Sequence, residues 1–241
     1  MTLPRLIIAR AASLTRTGTV ACTVALACAV LAACTQDAYD KGEGKYSLTR
    51  ADFVEAHANG AKQVDYVLTD DGEQLSVQQP FTMKWITTAD SVYRCVLYYN
   101  KVEQRDGLWS IDAVSVGQVP CPRVTPKDSL KSPMKTDPVK FESAWLSRSR
   151  KYVNLTLYLM TGATDDEQAA QQLGLVQDTV IGHADHSRTC QLTLYHDQGG
   201  VPEYYSTRCH VSIATDSIKA DSVCISINTY QGVVSRVFPC K

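Results

Sequence analysis

The sequence predicts an all-β chain, a small five-stranded barrel followed by a β-sandwich. Three observations carry this expectation. Short runs rich in Val, Ile, Leu and aromatic residues recur with turn residues between them and with little helical periodicity. Asp71-Gly72 and Asp106-Gly107 sit between such runs and are hairpin signals. Five of the nine prolines (Pro120, Pro122, Pro126, Pro133 and Pro138) fall in one stretch that divides the runs into two groups.

The chain opens on a different kind of segment. Arg5, Arg10 and Arg16 precede an apolar run, Val20 to Ala33, of 14 residues, which ends in Leu31-Ala32-Ala33-Cys34. A basic leader, a short apolar segment and small residues before a cysteine read as a lipoprotein signal peptide, residues 1–33, with Cys34 the lipidated first residue of the mature chain. The apolar run is too short for the roughly 20 residues that span a bilayer. Residues 34–44 are polar and glycine-containing and suit a tether. This places the protein in the cell envelope, held to a membrane, the outer one, by its lipid; Thr35-Gln36-Asp37 leaves the side of that membrane open.

Residues 45–121 hold the first group of strand runs: Tyr46 to Glu55, Gln63 to Thr69, Gln74 to Val77, Tyr93 to Asn100 and Leu108 to Val116. Five short strands over this length suit a barrel. The proline-rich residues 122–138 read as a linker. The sandwich is expected over residues 139–241, with strands at Tyr152 to Met160, Gln191 to Tyr195, Glu203 to Ile213, Val223 to Thr229 and Val233 to Phe238. The one helix expected is Asp165 to Leu173, where acids precede Gln168-Ala169-Ala170-Gln171.

Composition narrows the partners. The signal takes away three arginines and no acid, so the formal charge of −1 becomes −4 in the mature chain. Phosphate binding needs clustered positive charge, and nucleic acid is therefore not an expected partner. Of nine cysteines, Cys22 and Cys28 leave with the signal and Cys34 takes the lipid. Cys95, Cys121, Cys190, Cys209, Cys224 and Cys240 remain, an even number suited to disulfides in an exported chain, with buried thiols as the alternative. A two-residue turn at Gly199-Gly200 would set Cys190 opposite Cys209 and His196 opposite Glu203. The same folding-over sets Cys224 opposite Cys240 across Gln231-Gly232, and Cys209 opposite Cys224 across Asp216-Ser217. Cys190 with Cys209, Cys224 with Cys240 and Cys95 with Cys121 are the pairings expected.

Few residues offer chemistry. His183 and His186 are the densest metal-type pair, but no third ligand is evident and a polar turn explains them equally. No nucleophile elbow, phosphate-binding glycine loop or HExxH motif occurs, and neither catalysis nor a cofactor is expected. Tyr98, Tyr99, Trp109 and Trp85 could form a stacking surface for a sugar or peptide, or serve as core.

Asp, then Ser or Thr, then an aliphatic residue occurs at Ser91, Ser129, Thr179, Ser217 and Ser222. The triplet resembles the acceptor motif of the general protein O-glycosylation system of Bacteroidetes envelope proteins, and it is also ordinary grammar for a turn before a strand. Tyr46-Ser47-Leu48-Thr49-Arg50-Ala51-Asp52-Phe53-Val54-Glu55-Ala56, then Val64 to Gly72, resemble the N-terminal signature of the NigD-like lipoproteins of Bacteroidetes. Tyr152-Val153-Asn154-Leu155-Thr156-Leu157 with Met160-Thr161-Gly162 resembles their second domain. The resemblance implies an N-terminal OB-type barrel and a C-terminal antiparallel β-sandwich, with no functional residues to carry over. The expected function is a non-enzymatic envelope protein that binds or blocks a macromolecule, with bacteriocin immunity as one form. A glycan- or peptide-binding module is the alternative, and a metal-dependent hydrolase using His183 and His186 the third.

Overall fold

The computed structural model describes residues 47–104 and 108–240. The signal, Cys34, the tether and the Asp106-Gly107 turn lie outside the described residues. All regular structure within them is strand, apart from two short 3-10 turns.

The first five strands are β1 (Arg50–Ala58), β2 (Val64–Thr69), β3 (Gln74–Phe81), β4 (Ser91–Glu103) and β5 (Trp109–Gln118), closed into a barrel in the order β1-β2-β3-β5-β4. Alternation builds its interior: Val54, Ala56 and Ala58 from β1 meet Cys95, Leu97 and Tyr99 from β4 and Ile111 from β5, all fully or nearly fully buried. The Asp71-Gly72 turn forms as expected, with Gly72 at φ +85° and its N–H donating to Thr69 O.

Next come β6 (Val124–Pro126), β7 (Lys140–Leu146), β8 (Tyr152–Thr161), β9 (Gln172–Gly182), β10 (Arg188–Asp197), β11 (Tyr205–Ala214), β12 (Ser222–Thr229) and β13 (Gly232–Pro239). One sheet has the order β13-β12-β10-β9-β6 and the other β11-β8-β7. Their inner faces share one apolar core, including Val153, Leu155, Leu157, Leu192, Leu194, Val211, Ile213, Val223, Ile225 and Ile227. Most pairings are antiparallel, but β10 with β12 and β6 with β9 run parallel.

Several expectations change here. Residues 122–138, read as a linker, supply β6 and a strap held by Asp137 N–H to His196 O and His196 N–H to Lys135 O. Asp165 to Leu173 is no helix. The Asp166 carboxylate accepts the Gln168 N–H, an Asx turn forms, and β9 begins at Gln172. β10 and β11 are not a hairpin: Gly199 and Gly200 do take positive φ, +57° and +77°, but the chain then crosses to the other sheet. Cys190 and Cys209 therefore sit in facing sheets, as do Cys209 and Cys224. The β12–β13 turn lies at Tyr230-Gln231, one residue earlier than expected, which sets Cys224 opposite Val237 and not Cys240.

Candidate functional site

The polar chemistry of the described residues concentrates where barrel and sandwich meet. Its centre is Arg94, a lone base in the apolar run of β4, whose side chain is only 3% exposed. Nη2 donates to Asp70 Oδ2 at 2.7 Å and to Asn154 Oδ1 at 3.2 Å, and Nε donates to the Ser212 hydroxyl at 3.2 Å. The guanidinium lies 4.0 Å from the Tyr152 ring centroid and 5.5 Å from that of Phe53. Barrel residues Asp70 and Phe53 are thus tied through one cation to Tyr152 and Asn154 on β8 and Ser212 on β11. Nη1 is buried with no hydrogen-bond partner among the described residues.

Two further contacts flank this cation. On one side Glu55 accepts from Lys151 Nζ at 3.0 Å and from the Tyr152 hydroxyl at 2.9 Å. Burial first, and then the Glu55 carboxylate, raise the Tyr152 phenol above its ordinary range. On the other side the Phe53 ring meets Trp145 edge-on at 5.3 Å and His210 at 5.2 Å. His210 Nδ1 lies 3.1 Å from the Thr156 hydroxyl, and burial holds its pKa below the usual imidazole value.

A cleft of about 590 Å³ opens beside Phe53 and Trp145, walled by Arg50, Asp52, Asp70, Asp71 and Glu73. The acids are engaged: Asp52 accepts from the Tyr99 hydroxyl, Asp70 from Arg94, Asp71 pairs with Arg148 and Glu73 with Lys101. A second cleft of about 510 Å³ lies beside Glu55, Lys151, Tyr152, Thr215 and Asp216. This junction was not among the residues that the sequence singled out. The available signal was a charged residue standing between Tyr93 and Cys95 in a strand otherwise suited to burial.

The residues that the sequence did single out are scattered. The structure joins none of the six cysteines in a disulfide. Cys95 faces the barrel interior, where burial pushes its thiol up to about 12, whereas Cys121 is exposed outside the barrel. Burial likewise raises the thiols of Cys190 and Cys209. His183 and His186 lie on the tight β9–β10 turn, where His183 N–H donates to Ser187 O and His183 Nε2 sits 2.7 Å from the Thr189 hydroxyl. Among the described residues no three His, Cys, Asp or Glu converge as a metal site. His196 does not meet Glu203. It is buried, with Nδ1 2.9 Å from Asp137 O, and Glu203 instead accepts from the Tyr230 hydroxyl. Tyr99 lies inside the barrel and Trp85 packs against its core, so the four aromatics form no shared stacking surface. Ser129, Thr179 and Ser217 are exposed, while Ser91 and Ser222 are half-buried.

The family model of the NigD-like C-terminal beta sandwich domain matches residues 122–239. This chain belongs to the NigD-like family. The match takes in the segment that holds β6, in keeping with that strand's place in the sandwich sheet. Among solved structures the NigD-like chain is similar to a NigD-like immunity protein from Bacteroides caccae, at TM-score 0.61 and 20% identity over 78% of this chain and 91% of that one. It is also similar to a protein of unknown function from Bacteroides vulgatus, at TM-score 0.58 and 17% identity over 79% and 90%. A third, described as a lipoprotein from Bacteroides fragilis, gives TM-score 0.56 and 13% identity over 80% and 98%. At these identities the likeness is one of fold. No curated protein matches the chain. Among the described residues no helix is long and apolar enough to cross a membrane.

Proposed function

We propose that this NigD-like chain is a lipid-anchored protein of the cell envelope, without catalytic activity, that binds a macromolecular partner, and that protection against a bacteriocin is its concrete form. The observation that carries the reading is the fold likeness, along nearly the whole of the other chain, to a NigD-like immunity protein. The junction supports it: Arg94, Asp70, Glu55, Lys151 and Tyr152 spend their charge and hydrogen bonds on one another, as a rigid scaffold requires. The lipobox supports the anchor, and the exposed hydroxyls of Ser129, Thr179 and Ser217 are open to O-glycosylation.

Two measurements test this. Deletion of the gene raises sensitivity to a toxin encoded beside it; unchanged sensitivity removes the immunity form. The intact mass of the mature protein exceeds that of residues 34–241 by the lipid, and by glycan where the Asp-Ser/Thr triplets are modified. A mass equal to bare polypeptide overturns both modifications.

A further inference from the structure

One end of the barrel carries exposed apolar side chains: Leu48 is 75% exposed, Leu108 66% and Trp109 45%. The strand ladders bring them to the same rim. Arg50 lies opposite Tyr99 and the Thr49 hydroxyl donates to Asn100, so Leu48 falls level with Lys101 on β4. Trp109 lies opposite Glu103 on that strand, with the Lys101 ammonium 5.9 Å from its ring centroid. Gln104 N–H donates to Leu108 O and closes the tip of the β4–β5 hairpin. Leu48 also stands where the chain enters the barrel, 14 residues after Cys34.

We propose that the Leu48, Leu108 and Trp109 rim is a lipid-facing surface, seated in the interfacial layer of the bilayer to which Cys34 is anchored. This rests on the anchored reading above. An indole suits that layer because its ring is apolar while its N–H keeps a polar partner. Three side chains are too few for a stable protein interface, which needs about 800 Å² on each side. A bilayer sets no such threshold once the chain is tethered: 14 flexible residues span about 20 Å on average. The rim therefore meets the membrane as an intramolecular event at high effective concentration.

The test uses the mature protein, purified from its own membrane and reconstituted into vesicles of phosphatidylethanolamine and phosphatidylglycerol with bromine on the acyl chains near the headgroups. The fluorescence lost on changing Trp109→Phe isolates this indole from Trp85 and Trp145. That component is expected to be blue-shifted and to lose most of its intensity in brominated vesicles. The Leu48→Glu, Leu108→Glu double variant is expected to stay on the vesicles through its lipid and to lose the quenching. Equal Trp109 fluorescence in brominated and plain vesicles overturns the proposal. The anchor is read separately by mass: if Cys34 carries no lipid, that reading fails, and quenching of the unlipidated chain at saturating lipid still upholds the rim, or its absence overturns it.

Discussion

Removing the Arg94 guanidinium should loosen the hold of the barrel on the sandwich. In Arg94→Met the stem is replaced by a chain of similar length, while Asp70 loses its 2.7 Å partner and keeps only the Asn154 amide at 3.1 Å. A charge-assisted bond of this kind contributes about 1.5–3 kcal/mol, and the bonds to Ser212 and Asn154 about 1 kcal/mol each. Truncating one member of a buried pair costs about 3–5 kcal/mol. Two observations lower the figure: Asp70 is 19% exposed, so water reaches it, and Arg94 already carries an unmatched Nη1. A net loss of about 3 kcal/mol follows, which at 2–4 °C per kcal/mol is a fall in Tm of about 6–12 °C. Calorimetry and urea unfolding of residues 35–241 read this directly. Asp70→Asn in the Arg94→Met background should cost less than Asp70→Asn alone, with a coupling of about 1.5–3 kcal/mol. A loss under about 1 kcal/mol, or strict additivity, refutes the assignment of Arg94 as the cation that joins the two parts.

Gly199→Ala should cost more than about 2 kcal/mol, because φ is +57° and a Cβ would stand 2.0 Å from Ala170 O. Gly232→Ala, at φ +109° in open space, should cost only about 1 kcal/mol; equal losses in urea unfolding would count against the first contact. Stability should fall as pH drops from 7 to 5. Burial lowers the folded pKa of His210 below its model value of 6.5, so the unfolded chain binds the proton more readily. The contribution is fully present above pH 6.5 and is lost as pH falls through the folded value. His210→Gln should flatten that slope, and an unchanged urea midpoint profile would remove His210 as its source.

The strand framework was legible wherever alternation and a hairpin signal coincided, as at Val64 to Val77. The missed strands lack one or both. β6 is three residues ending in Pro126, β7 carries a bulge after Phe141, and β9 includes Gly174 and a polar middle at Gln177 to Thr179. Asp165 to Leu173 has the composition of a helix start but no apolar stripe, so nothing would hold it against the core. Gly199-Gly200 shows a sharper limit. The local backbone came out as turn chemistry demands, but a turn does not say which sheet the next strand will join, and four cysteine positions followed that choice. The junction was illegible because a lone arginine gains meaning only from partners 24 to 118 residues away.

The crossing of β11 to the opposite sheet, between β10 and β12, has a consequence for how the protein is made. β12 docks in parallel beside β10 only after β11 has left for β8, and β13 then completes the sheet at the C-terminus. The barrel closes from residues emerging early, but the sandwich core closes only when the last strand has arrived. Contacts this distant in sequence form slowly. A chain threading out of the cytoplasm therefore delivers a finished barrel while its other half is still an open sheet, and a stop codon even 20 residues early leaves the apolar face of β10 uncovered.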